Sequence, residues 1–168
     1  MKLIKYIFLL FALLTLNGCN SEDLSYNIDY TPIHPLGGQY VVTISKDGKA
    51  LQQIYCTISN TTNNDTDKCW IRIGSYATAG AIGINGKINC NVENLTFSGS
   101  DIENLAGNVA SSTETFTITD GKLVLNGATA PSGTTADKLT FTYTTSKAPG
   151  VTYSVEGYRY TGWPEDDY

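Results

Sequence analysis

Few residues in this chain have the type and placement that chemistry demands. The only histidine, His34, lies between Pro32 and Pro35 in a segment without strand or helix periodicity. A Ser-His-Asp or Cys-His apparatus needs its histidine held rigidly against the nucleophile, and a proline-flanked tether does not supply that. No Gly-x-Ser-x-Gly elbow and no His-Glu-x-x-His pair occurs. Paired carboxylates of the glycosidase type are a further route, but most Asp and Glu residues fall in turns or near the ends. No catalytic residue is assigned, and the enzyme question leans to no. Cys56, Cys69 and Cys90 each sit on the apolar side of a strand-like segment. Their spacing matches no zinc motif and no histidine accompanies them, so neither a metal nor another cofactor is expected. Two readings of these cysteines stay open: a Cys56–Cys69 disulfide across one hairpin, or three buried thiols acting as small hydrophobes.

A fourth cysteine carries a different chemistry. Lys2 and Lys5 open a short basic segment, followed by a nearly unbroken apolar run from Tyr6 to Leu16. That run is shorter than the roughly 20 residues a membrane span needs, and it has the form of a signal-peptide core. It ends in Leu16-Asn17-Gly18-Cys19, which resembles the bacterial lipobox: the small residue fits the peptidase pocket and the cysteine sulfur accepts a diacylglycerol. The expected organisation is a signal peptide over 1–18, a lipidated tether over 19–36 and one domain over 37–168. Ser21-Glu22-Asp23 after the acceptor resembles an acidic export signal, and is equally a solvated start to the tether. The expected location is the bacterial outer membrane, on its periplasmic or cell-surface side, with Cys19 as the lipid attachment point.

Charge and composition narrow the partners. Loss of the leader removes two lysines, so the formal charge moves from −5 to −7. An acidic chain without basic clusters is a poor ligand for phosphate backbones, so no nucleic-acid partner is expected. Charged residues are 16% of the chain, against about 25% in ordinary globular proteins. Thr, Ser, Asn and Gly take their place, the composition of a turn-rich β protein.

The elements follow from alternation. Tyr40, Val42 and Ile44 share one side of a first strand, which turns at Lys46-Asp47-Gly48-Lys49. Ile54, Cys56 and Ile58 form the apolar side of a second. After a polar loop over 60–67, Cys69, Ile71 and Ile73 line a third, with Lys68, Trp70 and Arg72 opposite. Asn85-Gly86 reads as another hairpin signal leading into Ile88, Cys90 and Val92, and Leu95 to Phe97 either extend that strand or begin the next. Thr115 to Thr119 alternates strictly, and Asp120-Gly121 reads as a turn into Leu123-Val124-Leu125. Leu139, Phe141 and Tyr143, then Val151, Tyr153 and Val155, complete the series. Residues 101–110 have room for a short helix, the only helical candidate. Eight or nine strands in simple succession predict an all-β fold: an up-and-down antiparallel barrel of about eight strands, with a β-sandwich as the alternative.

On this parity Tyr40 of the first strand and Arg159 of the last both face inward. A guanidinium over the tyrosine ring would close the base of the barrel. The same parity directs Phe116, Ile118, Phe141, Tyr143, Tyr153 and Val155 to the interior, where they either line an apolar ligand cup or fill the core. The C-terminal Trp163-Pro164-Glu165-Asp166-Asp167-Tyr168 reads as a solvated tail rather than a cation site.

Two stretches carry a resemblance. Asn64-Asp65-Thr66-Asp67-Lys68-Cys69-Trp70-Ile71 and Gly157-Tyr158-Arg159-Tyr160-Thr161-Gly162-Trp163-Pro164-Glu165-Asp166 resemble the Bacteroidetes family labelled lipid-binding putative hydrolase. That resemblance implies a lipoprotein with a lipocalin-like, calycin-type barrel, lipid binding and a hydrolytic activity for which no motif here names a residue. Gly38-Gln39-Tyr40 is similar to the Gly-x-Trp opening of lipocalins, with Tyr in place of Trp. The expected function is a membrane-anchored exported lipoprotein that binds a small apolar or amphipathic, lipid-like ligand in its barrel. The alternatives are a cell-surface lipoprotein contacting a protein or glycan, favoured by an exposed Trp70, and a hydrolase of unfamiliar design.

Overall fold

The computed structural model describes residues 28–168. The signal peptide over 1–18, the acceptor Cys19 and the acidic triplet after it lie outside the described residues. Eight antiparallel strands run in chain order: β1 (Gly38–Lys46), β2 (Lys49–Asn60), β3 (Lys68–Ile73), β4 (Asn85–Asn91), β5 (Thr96–Glu103), β6 (Thr115–Thr129), β7 (Thr135–Thr145) and β8 (Tyr153–Arg159). Each pairs with the next, and β8 pairs with β1, which closes the sheet into an up-and-down barrel. Closure leaves no unpaired edge, so the ladder hydrogen bonds of every strand are used internally. The sandwich alternative is excluded.

Alternation works because one face of every strand is buried. Tyr40, Val42, Ile44, Cys56, Ile58, Cys69, Ile71, Ile73, Phe141 and Val155 all join one continuous core. The β1–β2 hairpin turns where expected. Asp47 (φ 51°) and Gly48 (φ 74°) both take the left-handed conformation that a two-residue hairpin loop requires.

Two other Gly-containing signals do not make turns. Asn85-Gly86 opens β4, with Gly86 opposite Ile71. Gly86 is there for space: a Cβ would sit 2.7 Å from both Ile102 Cγ2 and Phe116 Cε1. Asp120-Gly121 lies inside β6, which runs uninterrupted from 115 to 129. Between Thr119↔Thr142 and Lys122↔Thr140, β6 advances one residue more than β7, which is a bulge rather than a hairpin. The helix allowed for 101–110 is absent. β5 extends to Glu103, and the chain then turns around Asn104.

The packed unit also begins ahead of residue 37. Residues 31–37 form compact turns, with Leu36 and Gly37 N–H groups both donating to Ile33 O at 2.9 Å. Ile33 and Leu36 are buried in the core at the barrel's lower end. Two apolar side chains spaced by a His-Pro pair carry no strand or helix period, so the sequence pattern does not reveal them.

The tail departs from expectation as well. Pro164–Asp166 forms a 3-10 turn and Asp166 is buried. Its carboxylate accepts from Ser132 N–H at 2.6 Å, from Ser132 Oγ at 2.7 Å and from Thr161 Oγ1. Tyr55 Oη donates to Asp167 Oδ1.

Candidate functional site

The barrel has two differently closed ends. At the lower end, β1 and β8 pair with Tyr40 directly opposite Arg159, and the Arg159 guanidinium lies 5.0 Å from the Tyr40 ring centroid. Arg159 also donates to Pro35 O at 2.9 Å, to Gly37 O, and through Nε to Asp137 Oδ2 at 2.9 Å. Tyr40 Oη donates to Leu36 O at 2.7 Å, and burial pushes that hydroxyl's pKa well above its ordinary value, against an opposing pull from Arg159. Charge-assisted bonds and an aromatic stack together fix residues 31–37 as a plug.

The upper end gathers the six residues expected to face inward. Cross-strand register sets Ile118 against Tyr143, Tyr143 against Tyr153, and Phe141 against Val155, while Phe116 lies opposite Thr145. They form one contiguous apolar and aromatic face. The Tyr143 and Tyr153 rings stack with centroids 5.1 Å apart, and Phe141 meets Phe97 edge-on at 5.5 Å. All six are buried, at no more than 5% exposure, so in this structure they pack against one another as core.

What covers this end is a short connection of mostly small side chains, anchored in the core by Ile84. The connection between β3 and β4, residues 74–84, crosses the mouth and consists mainly of Gly, Ala, Ser and Thr. Tyr143 Oη donates to Ile82 O at 2.9 Å and Thr145 Oγ1 donates to Ala81 O at 3.0 Å. Asn104 Nδ2 donates to Gly83 O at 3.0 Å, and its Oδ1 accepts from the N–H groups of Asn85 and Ala106. Burial raises the Tyr143 pKa far above the usual tyrosine range, so the hydroxyl remains a donor at any physiological pH. Asn104 was not apparent as a site residue in the sequence. Its one signal is a polar residue at the end of an alternating stretch.

Among the described residues the cysteines, Cys56, Cys69 and Cys90, are free and buried. Register explains why Cys56 and Cys69 are not joined: Cys56 faces Ile73, whereas Cys69 faces Asn60, four residues further along β2. Burial pushes the Cys56 thiol up to about 12. His34 is exposed and stacks on Tyr30, with ring centroids 3.9 Å apart. Among the described residues, no group of three His, Cys, Asp or Glu side chains is arranged to hold a metal ion.

The outer face has clefts of its own. One, of about 810 Å³, crosses β1, β8 and β7 and is walled by hydroxyls such as Thr43, Thr140 and Thr142. Its Lys138 and Glu156 already pair with each other at 2.7 Å. A smaller one of about 290 Å³ lies beside Trp70.

A family described as lipid-binding putative hydrolase matches residues 25–164, which include all eight strands of the barrel. The comparison with curated proteins finds no match.

Proposed function

The chain belongs to the lipid-binding putative hydrolase family, and from that premise we propose that its lipid is an acyl chain taken into the upper half of the barrel. The protein that holds it is an exported lipoprotein, anchored through Cys19 to the bacterial outer membrane on its periplasmic or cell-surface side. Lipid binding and the closed β-barrel are the established part of this reading. The observation that carries the rest is the coincidence of two features at one end. The contiguous apolar face from Phe116 to Val155 lies under the connection 74–84, whose small side chains fill little of the mouth and whose Ile82 and Ala81 carbonyls are tied to Tyr143 and Thr145.

A linear hydrocarbon would displace residues 74–84 and spread the Tyr143–Tyr153 stack. Each methylene buried is worth about 0.8 kcal/mol, so a long acyl chain offsets the repacking of a few aromatic side chains. The lower end does not serve, because Arg159 ties its plug to two backbone carbonyls and a carboxylate. No residue is assigned to hydrolysis.

The test uses the full chain with Cys19→Ser and the fluorescent fatty acid cis-parinarate. Saturable emission that palmitate displaces is expected. Tyr143→Phe, which removes one tie on residues 74–84, should speed uptake several-fold. Absence of saturable emission, or uptake indifferent to Tyr143→Phe, would overturn the site. The anchor is tested separately: labelled palmitate fed to the producing bacterium should enter the native chain and not the Cys19→Ala chain.

A further inference from the structure

On the outer face of the barrel, remote from the interior, alternation places Trp70 and Arg72 side by side on β3, with Cys69, Ile71 and Ile73 buried behind them. Register brings Lys87 opposite Trp70 and Asn85 opposite Arg72. The connections over 74–84 and 104–110 rise beside them and contribute Tyr76, Asn108 and Val109 to the cleft of about 290 Å³. The Arg72 guanidinium lies 3.9 Å from the Tyr76 ring centroid, and its Nε donates to Gly74 O at 3.2 Å. Held at both points, Arg72 keeps its two Nη groups for another acceptor. Lys87 Nζ sits 5.8 Å from the Trp70 ring centroid.

The charge pattern is unusual for this protein. The chain is acidic overall, yet no Asp or Glu lines this cleft. The ion pairs among the described residues use Lys138, Lys147 and Arg159, and leave Arg72 and Lys87 without a carboxylate. Arg72 in the cleft, Lys87 beyond it on the Trp70 ring, two aromatic rings and two asparagine amides make a specific chemical request. The half-buried indole and the side of the exposed Tyr76 ring away from Arg72 suit the C–H face of a pyranose ring. The amides offer both donors and acceptors to its hydroxyls. The planar guanidinium fork matches one carboxylate. Two cations are too few to follow a phosphate backbone.

We propose that this cleft is a binding site for a carboxylate-bearing saccharide of the hexuronate class. The cleft opens on the outer face but shares residues 74–84 with the proposed acyl entry, so the titration uses lipid-free protein; its failure leaves fatty-acid uptake standing, and failed uptake leaves the cleft standing. The full chain carrying Cys19→Ser and Trp163→Phe retains Trp70 as its only tryptophan, and its emission reports directly on the cleft. Titration with digalacturonate should give a saturable change that weakens with added salt. A neutral galactose disaccharide should bind roughly tenfold more weakly or worse. Arg72→Met on the solvent face should abolish the response, and Asn108→Ala, in a loop, should weaken it without touching the strands. Four results would each overturn the proposal: no response to digalacturonate, an equal response to the neutral sugar, the same response to acetate alone, or unchanged binding by both variants.

Discussion

A guanidinium near the end of the last strand touches the ring of Tyr40, the carbonyls of Pro35 and Gly37, and the carboxylate of Asp137. Arg159→Ala removes all four contacts and leaves the two carbonyls without their donor. Charge-assisted hydrogen bonds contribute about 1.5–3 kcal/mol each when a partner is left unsatisfied, discounted here because the Arg159 and Asp137 side chains are 29% and 19% exposed. The expected loss is roughly 2–3 kcal/mol, read from urea midpoints at constant slope. Arg159→Lys should restore less than half of it, since a point charge cannot serve three acceptors in one plane. An unchanged midpoint for Arg159→Ala would mean that the plug holds by Ile33 and Leu36 alone. Strand parity alone places Tyr40 and Arg159 on the inner face. The carbonyls at 35 and 37 were illegible, because a proline-bearing turn has no period from which to read a direction.

At the scale of elements, alternation located most strands, but it left β5 (Thr96–Glu103) without a start of its own and overlapped by a helix candidate, and Gly-containing pairs misled where the barrel bends, splitting β6 in two. Asp-Gly at 47–48 and Asp-Gly at 120–121 are identical as dipeptides, yet one makes a hairpin and the other a bulge. Asp120 adopts φ 55°, the same left-handed geometry as Asp47, so local chemistry is satisfied either way. Tertiary pairing decides: at 121 the chain continues between β5 and β7, with Gly121 opposite Phe97. A Cβ there would lie 2.3 Å from Phe97 O and 2.4 Å from Phe97 Cδ2. The first of these is backbone and cannot swing aside. Gly121→Ala should therefore cost at least about 1–3 kcal/mol, a fall in Tm of several degrees for a domain of this size. Asp120→Asn, which tolerates the left-handed conformation equally, should leave Tm nearly unchanged. If Gly121→Ala melts with the native chain, the bulge is soft and β6 can shift its register.

For the molecule as a whole, the barrel was legible because closure requires every strand to hide one face, and that requirement is written in period-2 spacing. The tail was not, since the burial of Asp166 depends on Ser132, which lies 34 residues away at the tip of the β6–β7 hairpin. The tail contacts nonetheless give the folded chain a pH window. Desolvation raises the Asp166 pKa, but bonds from Thr161 and Ser132 outweigh it and hold the carboxyl below its ordinary value. Asp167 is lowered first by the Tyr55 hydrogen bond. A carboxyl whose folded pKa is depressed contributes stability above its unfolded value, and that stability is lost as pH falls through the folded one. The same Tyr55–Asp167 bond raises the Tyr55 hydroxyl from 10.0 to about 12. A raised group contributes stability below its unfolded pKa and loses it as pH climbs through the folded value. The C-terminal segment should therefore stay docked from mildly acidic pH to beyond pH 10, and detach below the usual carboxylate range while the barrel core persists. Hydrogen exchange at the Ser132 amide reads this directly: protection should hold at neutral pH and disappear in acid before the β1–β8 ladder exchanges. Asp166→Asn should expose the amide at every pH and flatten the acid limb. Loss of Ser132 and ladder protection together in one acid transition would show instead that the tail and barrel unfold as a single unit.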